Sequence, residues 1–140
     1  MRLQISTGLA IFAVLELAAR EDRRLSVAEI GEKYGVSSHH LAKVMHVLAR
    51  AGLVRSVRGA HGGHQFSGNA RRTTLLDVIE LFENIGADVS ASVGDRTSEG
   101  RALREVLGEI DDIARATLGS ITIATMLKLV ERRRASGRRT

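Results

Sequence analysis

Apolar residues recur at helical spacing along most of this chain. A period of three to four residues is typical of helices that bury one face, whereas a period of two is typical of strands. The helical period predicts helices over residues 7–20, 27–34, 38–51, 75–84, 99–118 and 121–133. A short alternating stretch between residues 53 and 66 predicts a two-stranded hairpin. The predicted fold class is therefore mainly α with one small β-hairpin.

Capping residues mark where these helices begin and end. Ser26 and Glu29 have the S-x-x-E spacing of a capping box, in which each side chain bonds the other residue's backbone N–H, and Gly35 is suited to close that helix. Thr74 and Asp77 have the same spacing before the fourth helix. The candidate caps of the last two helices are Ser98 and, after Gly119, Ser120.

The helix predicted at 38–51 has two faces of opposite character. Ser37 is suited to cap its start, and Gly52 tolerates the left-handed conformation at its end. At about 100° per residue, one stripe is apolar and consists of Leu41, Val44, Met45 and Leu48. The opposite side carries His39, Lys43, His46 and Arg50 within roughly 60° of one another. One face is thus expected to pack, and the other presents only basic or potentially basic groups.

The alternating stretch that follows predicts a hairpin with a basic tip. LVRSV has strand composition, RGAHGG supplies three glycines that tolerate positive φ, and HQF resumes an apolar ending. A basic-faced helix joined to a basic hairpin is the sequence form of a winged helix-turn-helix, whose helix enters the major groove while its wing reaches the backbone or minor groove. The predicted contacts to double-stranded DNA are Ser37, Ser38, His39, His40, Lys43, His46, Arg50, Arg58, Gly59, His61, Gly62, Gly63 and His64. Ser38 and His39 are expected nearest the base edges, whereas Lys43 and Arg50 equally suit phosphates.

The helix at 99–118 carries a narrow apolar seam on an otherwise charged surface. Such a seam favours burial against a partner helix over burial inside an already complete small domain. We therefore expect a homodimer. The predicted dimerisation residues are Leu103, Val106, Leu107, Ile110, Ile113, Ala114 and Thr117.

The formal net charge of +5 is unevenly distributed. Residues 1–73 hold 11 Lys or Arg against 5 Asp or Glu, residues 74–130 hold 5 against 10, and residues 131–140 hold 5 against 1. A basic first half and an acidic second half indicate that polyanion binding and self-assembly or sensing occupy separate regions.

Composition and motifs exclude several kinds of chemistry. The chain has no cysteine, which rules out disulfides, a cysteine nucleophile and an iron–sulfur cluster held by its own thiolates. The adjacent His39 and His40 would project about 100° apart on a helix, and His61 and His64 sit at turn spacing with no carboxylate nearby, so neither pair is a persuasive metal-ligand set. No catalytic motif is present, so we expect no enzyme activity, no metal and no cofactor.

The apolar segment 8–19 has two interpretations. It follows a basic residue and could pass for a signal peptide, but Glu16 interrupts it and no A-x-A cleavage site follows. No apolar run reaches the roughly 20 residues needed to span a bilayer. A buried helix of a cytoplasmic protein is the favoured interpretation.

Several of these motifs together resemble the IscR/NsrR family of bacterial transcription regulators. The resemblance rests on MRL at the start, VSSHHLAKVMHVLARAGLV, SVRGAHGG and TLLDVIELFE, and it covers roughly residues 1–83 and 98–128. It implies a winged helix-turn-helix, an arginine at position 58 offered to the DNA minor groove, and long helices paired across a twofold axis. The family commonly has proline where Ala60 stands and tyrosine where His64 stands, which implies a looser wing here. Cluster-binding members place three cysteines in or near the loop before the long helix, where this chain has IGADVSASVGDRTSEG.

These patterns divide the chain into four predicted parts. Residues 1–84 form a DNA-binding domain, 85–97 a linker or sensor loop, 98–133 the dimerisation and C-terminal helices, and 134–140 a basic, disordered tail. The favoured function is a homodimeric transcription regulator, with repression preferred, that reads a palindromic operator through the 38–51 helix and the 53–66 wing. The alternative is a protein-interaction module with nonspecific nucleic-acid affinity. The loop either couples an unknown small ligand, a cofactor other than a thiolate-held cluster, or a partner protein to DNA binding, or the protein is a constitutive repressor.

Overall fold

The computed structural model describes residues 1–60, 62–86 and 93–138. Within these residues the chain forms helices around one two-stranded antiparallel sheet, which confirms the predicted fold class. The elements are α1 (Ile5–Ala18), α2 (Val27–Tyr34), α3 (Ser38–Arg50), β1 (Val54–Val57), β2 (Gly63–Phe66), α4 (Leu75–Ile79), α5 (Ser98–Ser120) and α6 (Ile123–Gly137).

Helix α1 lies at the centre of the fold. It contacts α3, α4, β2 and α6. Two of its alanines, Ala10 and Ala13, are completely buried, and their small side chains let neighbouring elements pack closely against the helix. The core around α1 is completed by Leu41, Met45, Leu48, Val54, Phe66, Val78, Ile79 and Ile123. The basic face of α3 is therefore displayed by a helix whose other side is packed against α1.

Both predicted capping boxes are confirmed. The Ser26 side chain accepts from the Glu29 backbone N–H at 3.1 Å, and the Glu29 carboxylate accepts from Ser26 N–H at 3.3 Å. Thr74 and Asp77 make the same reciprocal pair at 3.1 and 2.9 Å. Gly35 ends α2 in the left-handed conformation, with φ +67°.

The caps predicted for the last two helices were wrong. Thr97, not Ser98, caps α5, and its Oγ1 accepts from Gly100 N–H at 3.0 Å. Thr122, not Ser120, caps α6, where its Oγ1 accepts from Thr125 N–H at 3.1 Å. Both threonines have the extended backbone that an N-cap requires, whereas the two serines are already inside α5.

Helix α1 lies two residues earlier than the predicted 7–20, and the ends of α4 and α6 differ most from prediction. Helix α4 ends at Ile79 instead of residue 84, because the backbone then tightens into three-residue hydrogen bonds from Leu81 to Val78 and from Phe82 to Ile79. Helix α6 continues through Gly137, where a tail had been predicted from residue 134. Residues 139–140 lie outside the described residues.

Backbone hydrogen bonds join the start of α6 to the segment before α4. Ile123 N–H donates to Thr73 O at 2.9 Å, and Ala124 N–H donates to Ala70 O at 2.8 Å. In return Leu75 N–H donates to Ile121 O at 2.9 Å. Helix α6 is thus tied to the core by backbone hydrogen bonds.

No helix among the described residues is both long and apolar enough to cross a bilayer.

Candidate nucleic-acid interface

Helix α3 starts at a satisfied cap. Ser37 has an extended backbone, and its Oγ accepts from His40 N–H at 3.2 Å. The helix ends before Gly52, whose φ of +79° is the left-handed conformation that glycine tolerates best. The start and end predicted from sequence are therefore confirmed to within one residue.

The two faces of α3 separate as the pattern predicted. The apolar stripe is buried and consists of Leu41, Val44, Met45 and Leu48. The opposite side is exposed and presents His39, Lys43, His46 and Arg50, and Ser38 is exposed at the start of the helix. Because the stripe packs on the core, this exposed face is free to approach another molecule.

His40 does not share this exposed face. Its ring is half-buried, and its Nε2 lies 3.2 Å from the Ser6 Oγ of α1, within hydrogen-bond distance. Successive residues of a helix point about 100° apart, so His39 is exposed while His40 turns towards α1. Of the predicted contacts on α3, His40 is thus the one already engaged within the fold.

The wing is a hairpin with Val54 paired to Phe66, Arg55 to Gln65, Ser56 to His64 and Val57 to Gly63. Arg58 and Gly59 are exposed at its tip, and His61 lies outside the described residues. A Cβ on Gly62 would lie 2.5 Å from Val57 O, which is far below van der Waals contact. Glycine at this position is therefore required for the hairpin to close.

The wing is fixed to the segment before α2, which sequence reasoning had missed. Leu25 N–H donates to His64 O at 3.0 Å, and His64 N–H donates to Leu25 O at 2.7 Å. The Gln65 amide adds a second link, because its Nε2 donates to Glu21 O at 2.6 Å. The available signal was weak: strand alternation places Gln65 on the surface of β2 but does not identify its partner.

His64 faces the inside of the wing more than its tip. Its side chain is half-buried, and its Nδ1 is buried without a hydrogen-bond partner among the described residues. Burial lowers the pKa of this imidazole below its usual value of 6.5. His64 is therefore neutral at pH 7 and supplies no charge to a polyanion.

The stretch of sequence that contains α3 and the wing carries basic but no acidic residues. Between Glu32 and Asp77 the sequence contains seven Lys or Arg residues and no Asp or Glu. This stretch includes all of α3 and the wing. Of these cations, Lys43, Arg50, Arg55 and Arg58 are exposed on α3 and the wing, and such exposed positive charge favours phosphate binding.

Comparison with known proteins decides what kind of protein carries this surface. The model of the Rrf2 family, described as an iron-dependent transcriptional regulator, matches residues 3–129. The chain belongs to the Rrf2 family. The resemblance to IscR-type regulators predicted from the sequence is confirmed, and this Rrf2 protein is a helix-turn-helix transcription regulator.

Individual relatives agree with the assignment. The chain is 50% identical over 134 residues to BadM of Rhodopseudomonas palustris, assigned as an HTH-type transcriptional regulator, and the match covers 96% of this chain and 86% of BadM. CymR of B. subtilis, the global cysteine regulator, has a TM-score of 0.78 at 25% identity, covering 92% of this chain and 98% of CymR. IscR of T. potens has a TM-score of 0.75 at 27% identity, covering 93% and 88%.

The iron dependence in the family description does not fit this chain. It contains no cysteine, so no thiolate is available to hold an iron–sulfur cluster. Among the described residues, His, Asp and Glu do not gather in groups of three that could hold a metal ion. We assign no role to iron.

A cavity of about 630 Å³ borders the segment predicted as a sensor loop. It lies between the chain start, residues 83–86 and α5, and Glu83 and Asp111 contribute carboxylates to its lining. Glu83 is already engaged, since it accepts from Gln4 N–H at 2.9 Å and from the buried Thr7 hydroxyl at 2.5 Å. Residues 87–92 of the loop lie outside the described residues.

Helix α5 leaves the predicted seam uncovered within one chain. Its large apolar side chains are 50–67% exposed and comprise Leu103, Val106, Leu107, Ile110 and Ile113. Ala114 is half-buried, and Thr117 is exposed. The helix is anchored on its other side by an ion pair between Arg115 and Glu80 at 2.6 Å.

Proposed function

We propose that this Rrf2 protein binds an inverted-repeat operator as a homodimer and represses transcription by occupying it in the cytoplasm. The observation that carries the proposal is the exposed basic face of α3, continuous in sequence with the wing and free of acidic residues. A helix of this kind enters the major groove with its N-terminal residues towards the base edges.

Within α3 we separate base reading from phosphate binding. Ser38 and His39 lie in the first turn and are assigned to base edges. Lys43 and Arg50 lie one and three turns further along and are assigned to phosphates, which add affinity without reading sequence. Arg58 at the wing tip is assigned to the minor groove, where a narrow A·T-rich groove attracts a cation.

The proposed partner of the α5 seam is the same seam of a second copy. Five large apolar side chains in one stripe, each at least half exposed in a single chain, are a liability for an isolated protein. Burying this stripe against its own copy removes apolar surface from water on both helices at once, and a twofold axis makes the contact self-complementary. A dimer would place two α3 helices about 10 base pairs apart, or a small multiple of that distance.

The operator is found experimentally by selecting duplexes from a random library and by gel-shift on the DNA upstream of the protein's own gene.

The distinguishing comparison is His39→Ala against Lys43→Ala, measured on operator and scrambled duplex over a range of salt concentrations. His39→Ala should lower discrimination by roughly 1–3 kcal/mol at one base pair and leave the salt slope unchanged. Lys43→Ala should weaken both duplexes and lower the slope by about one.

Equal weakening of both duplexes by both substitutions would refute sequence reading. The remaining candidate would then be the interaction module with nonspecific nucleic-acid affinity. Competition by unrelated DNA separates these functions independently, because specific complexes survive an excess of competitor that removes nonspecific ones.

The dimer has its own test. Ile110→Asp would place an unpaired carboxylate in the seam at a cost of several kcal/mol and should yield monomers with weak operator binding. Arg101→Asp is the matched control, because residue 101 is exposed and lies on the opposite side of α5. Sedimentation of wild-type protein as a monomer at micromolar concentration would end the dimer proposal.

A further inference from the structure

A short extended segment lies between the wing and the start of α2. The Leu25–His64 backbone pair places this segment alongside β2. A Cβ on Gly63 would lie 2.7 Å from Leu25 O and 3.1 Å from Ser26 N, so the segment approaches the base of the wing tip closely. Ser26 then caps α2. Residues 23–26 are therefore next to both the wing and the helix that precedes the recognition helix.

Two arginines of this segment face solvent. Arg23 and Arg24 are exposed, and neither forms an ion pair among the residues that the structure describes. Leu25 is buried, and alternation along extended backbone directs Arg24 to the opposite side, away from the core. Glu21 and Asp22 directly precede the two arginines, so residues 21–26 together carry no net charge. For binding a partner, the relevant observation is that the two arginines lie beside the wing.

A third arginine is held in a fixed orientation on the adjoining strand. Arg55 of β1 donates to Gln65 Oε1 through Nε at 3.3 Å and through Nη2 at 2.9 Å. The Gln65 Nε2 is in turn fixed by Glu21 O at 2.6 Å. One edge of the Arg55 guanidinium is thus occupied, and the remaining N–H groups are left to bind an acceptor. Holding the side chain in place lowers the conformational entropy lost on binding.

We propose that Arg23, Arg24 and Arg55, which we call the flanking arginines, bind DNA backbone phosphates beside the wing. The inference rests on the proposed function. In a helix-turn-helix complex the helix before the recognition helix crosses the DNA backbone, so the segment leading into α2 meets phosphates between the grooves read by α3 and the wing. The flanking arginines extend the footprint without adding base readout.

The test measures binding by fluorescence anisotropy as a function of salt, on a random 40-base-pair duplex and on the selected operator. The variant is Arg23→Ala/Arg24→Ala. Its control is Arg132→Ala/Arg133→Ala, which removes the same charge from two exposed residues of α6, a helix that packs on α1. Because each phosphate contact contributes a slope of about −0.9, losing one costs roughly fivefold in affinity at 0.15 M salt.

We expect the Arg23/Arg24 variant to lose about two units of slope on both duplexes, while the control keeps the wild-type slope. Arg23→Lys/Arg24→Lys should retain the slope, since the charges remain. Arg55→Ala should lower the slope by about one. Phosphate-ethylation interference should disappear at individual backbone positions in the Arg23→Ala/Arg24→Ala and Arg55→Ala variants, and should persist at every position in the control and in Arg23→Lys/Arg24→Lys.

Equal slopes and affinities for the variants and the control would overturn this inference. The proposed function would survive that result if wild type still distinguished operator from scrambled duplex. If wild type did not distinguish them, the proposed function would fail whatever the flanking arginines do.

Discussion

Ile123 provides the sharpest test of how the C-terminal helix is held. Its side chain is 0% exposed, and it belongs to the same core as residues of α1, α3 and α4. Ile123→Ala removes three carbon atoms, worth about 0.8 kcal/mol each in transfer free energy, and leaves a cavity in addition. We therefore expect the free energy of unfolding to fall by about 3 kcal/mol.

The matched control is Ile5→Ala, the same chemical change at a side chain that is 75% exposed. It should alter the free energy of unfolding by no more than about 0.5 kcal/mol. The free energies of unfolding of both variants are measured by urea titration, with circular dichroism as the signal. Equal chain concentrations are used because the stability of an oligomer depends on concentration. With a slope of about 2 kcal/mol per molar urea, the Ile123→Ala midpoint should fall by roughly 1.5 M. Equal midpoint shifts in the two variants would refute docking of α6 through Ile123.

Three further predictions concern pH and capping. Burial raises the pKa of Glu16, but hydrogen bonds from Lys33 and Tyr34 outweigh it and leave the pKa below 4.5. The ionised Glu16 therefore stabilises the folded state above pH 4.5, and this stabilisation is lost as the pH falls below that value. Glu16→Gln should accordingly make the free energy of unfolding less dependent on pH below 4.5. Burial lowers the pKa of His64, so the unfolded state binds a proton more readily and the fold loses stability as the pH falls below 6.5. The thermal midpoint of His64→Leu should therefore depend less on pH than that of wild type between neutral pH and about pH 5. An unchanged pH profile would contradict this prediction. Ser37→Ala removes the α3 cap and should cost about 1 kcal/mol in urea unfolding, whereas a loss of the same size in Ser38→Ala would show that the cap is not responsible.

Much of the local structure follows from neighbouring residues. The capping boxes at Ser26 and Thr74 involve residues three apart, so their spacing in the sequence was sufficient to predict them. The two faces of α3 follow from the helical period in the same way. The exposed seam of α5 also follows from its period, and its pairing with a second copy stays a prediction.

Where two caps were possible within a few residues, the sequence could not choose. Ser98 and Thr97 both have side chains suited to an N-cap, and so do Ser120 and Thr122. The choice depends on where the backbone leaves the extended conformation, which in α6 is fixed by hydrogen bonds to Thr73 and Ala70 far earlier in the chain.

The contacts that position the DNA-binding surface were decided only by the tertiary structure. Ser6 meets His40 of α3 and Leu25 meets His64 of the wing, although both pairs are separated by 34 residues or more along the chain. Local spacing determines which side of a helix or strand is apolar, because that depends only on backbone geometry. Which polar side chain meets which depends on how the packed elements are placed around α1, and no local pattern contains that information.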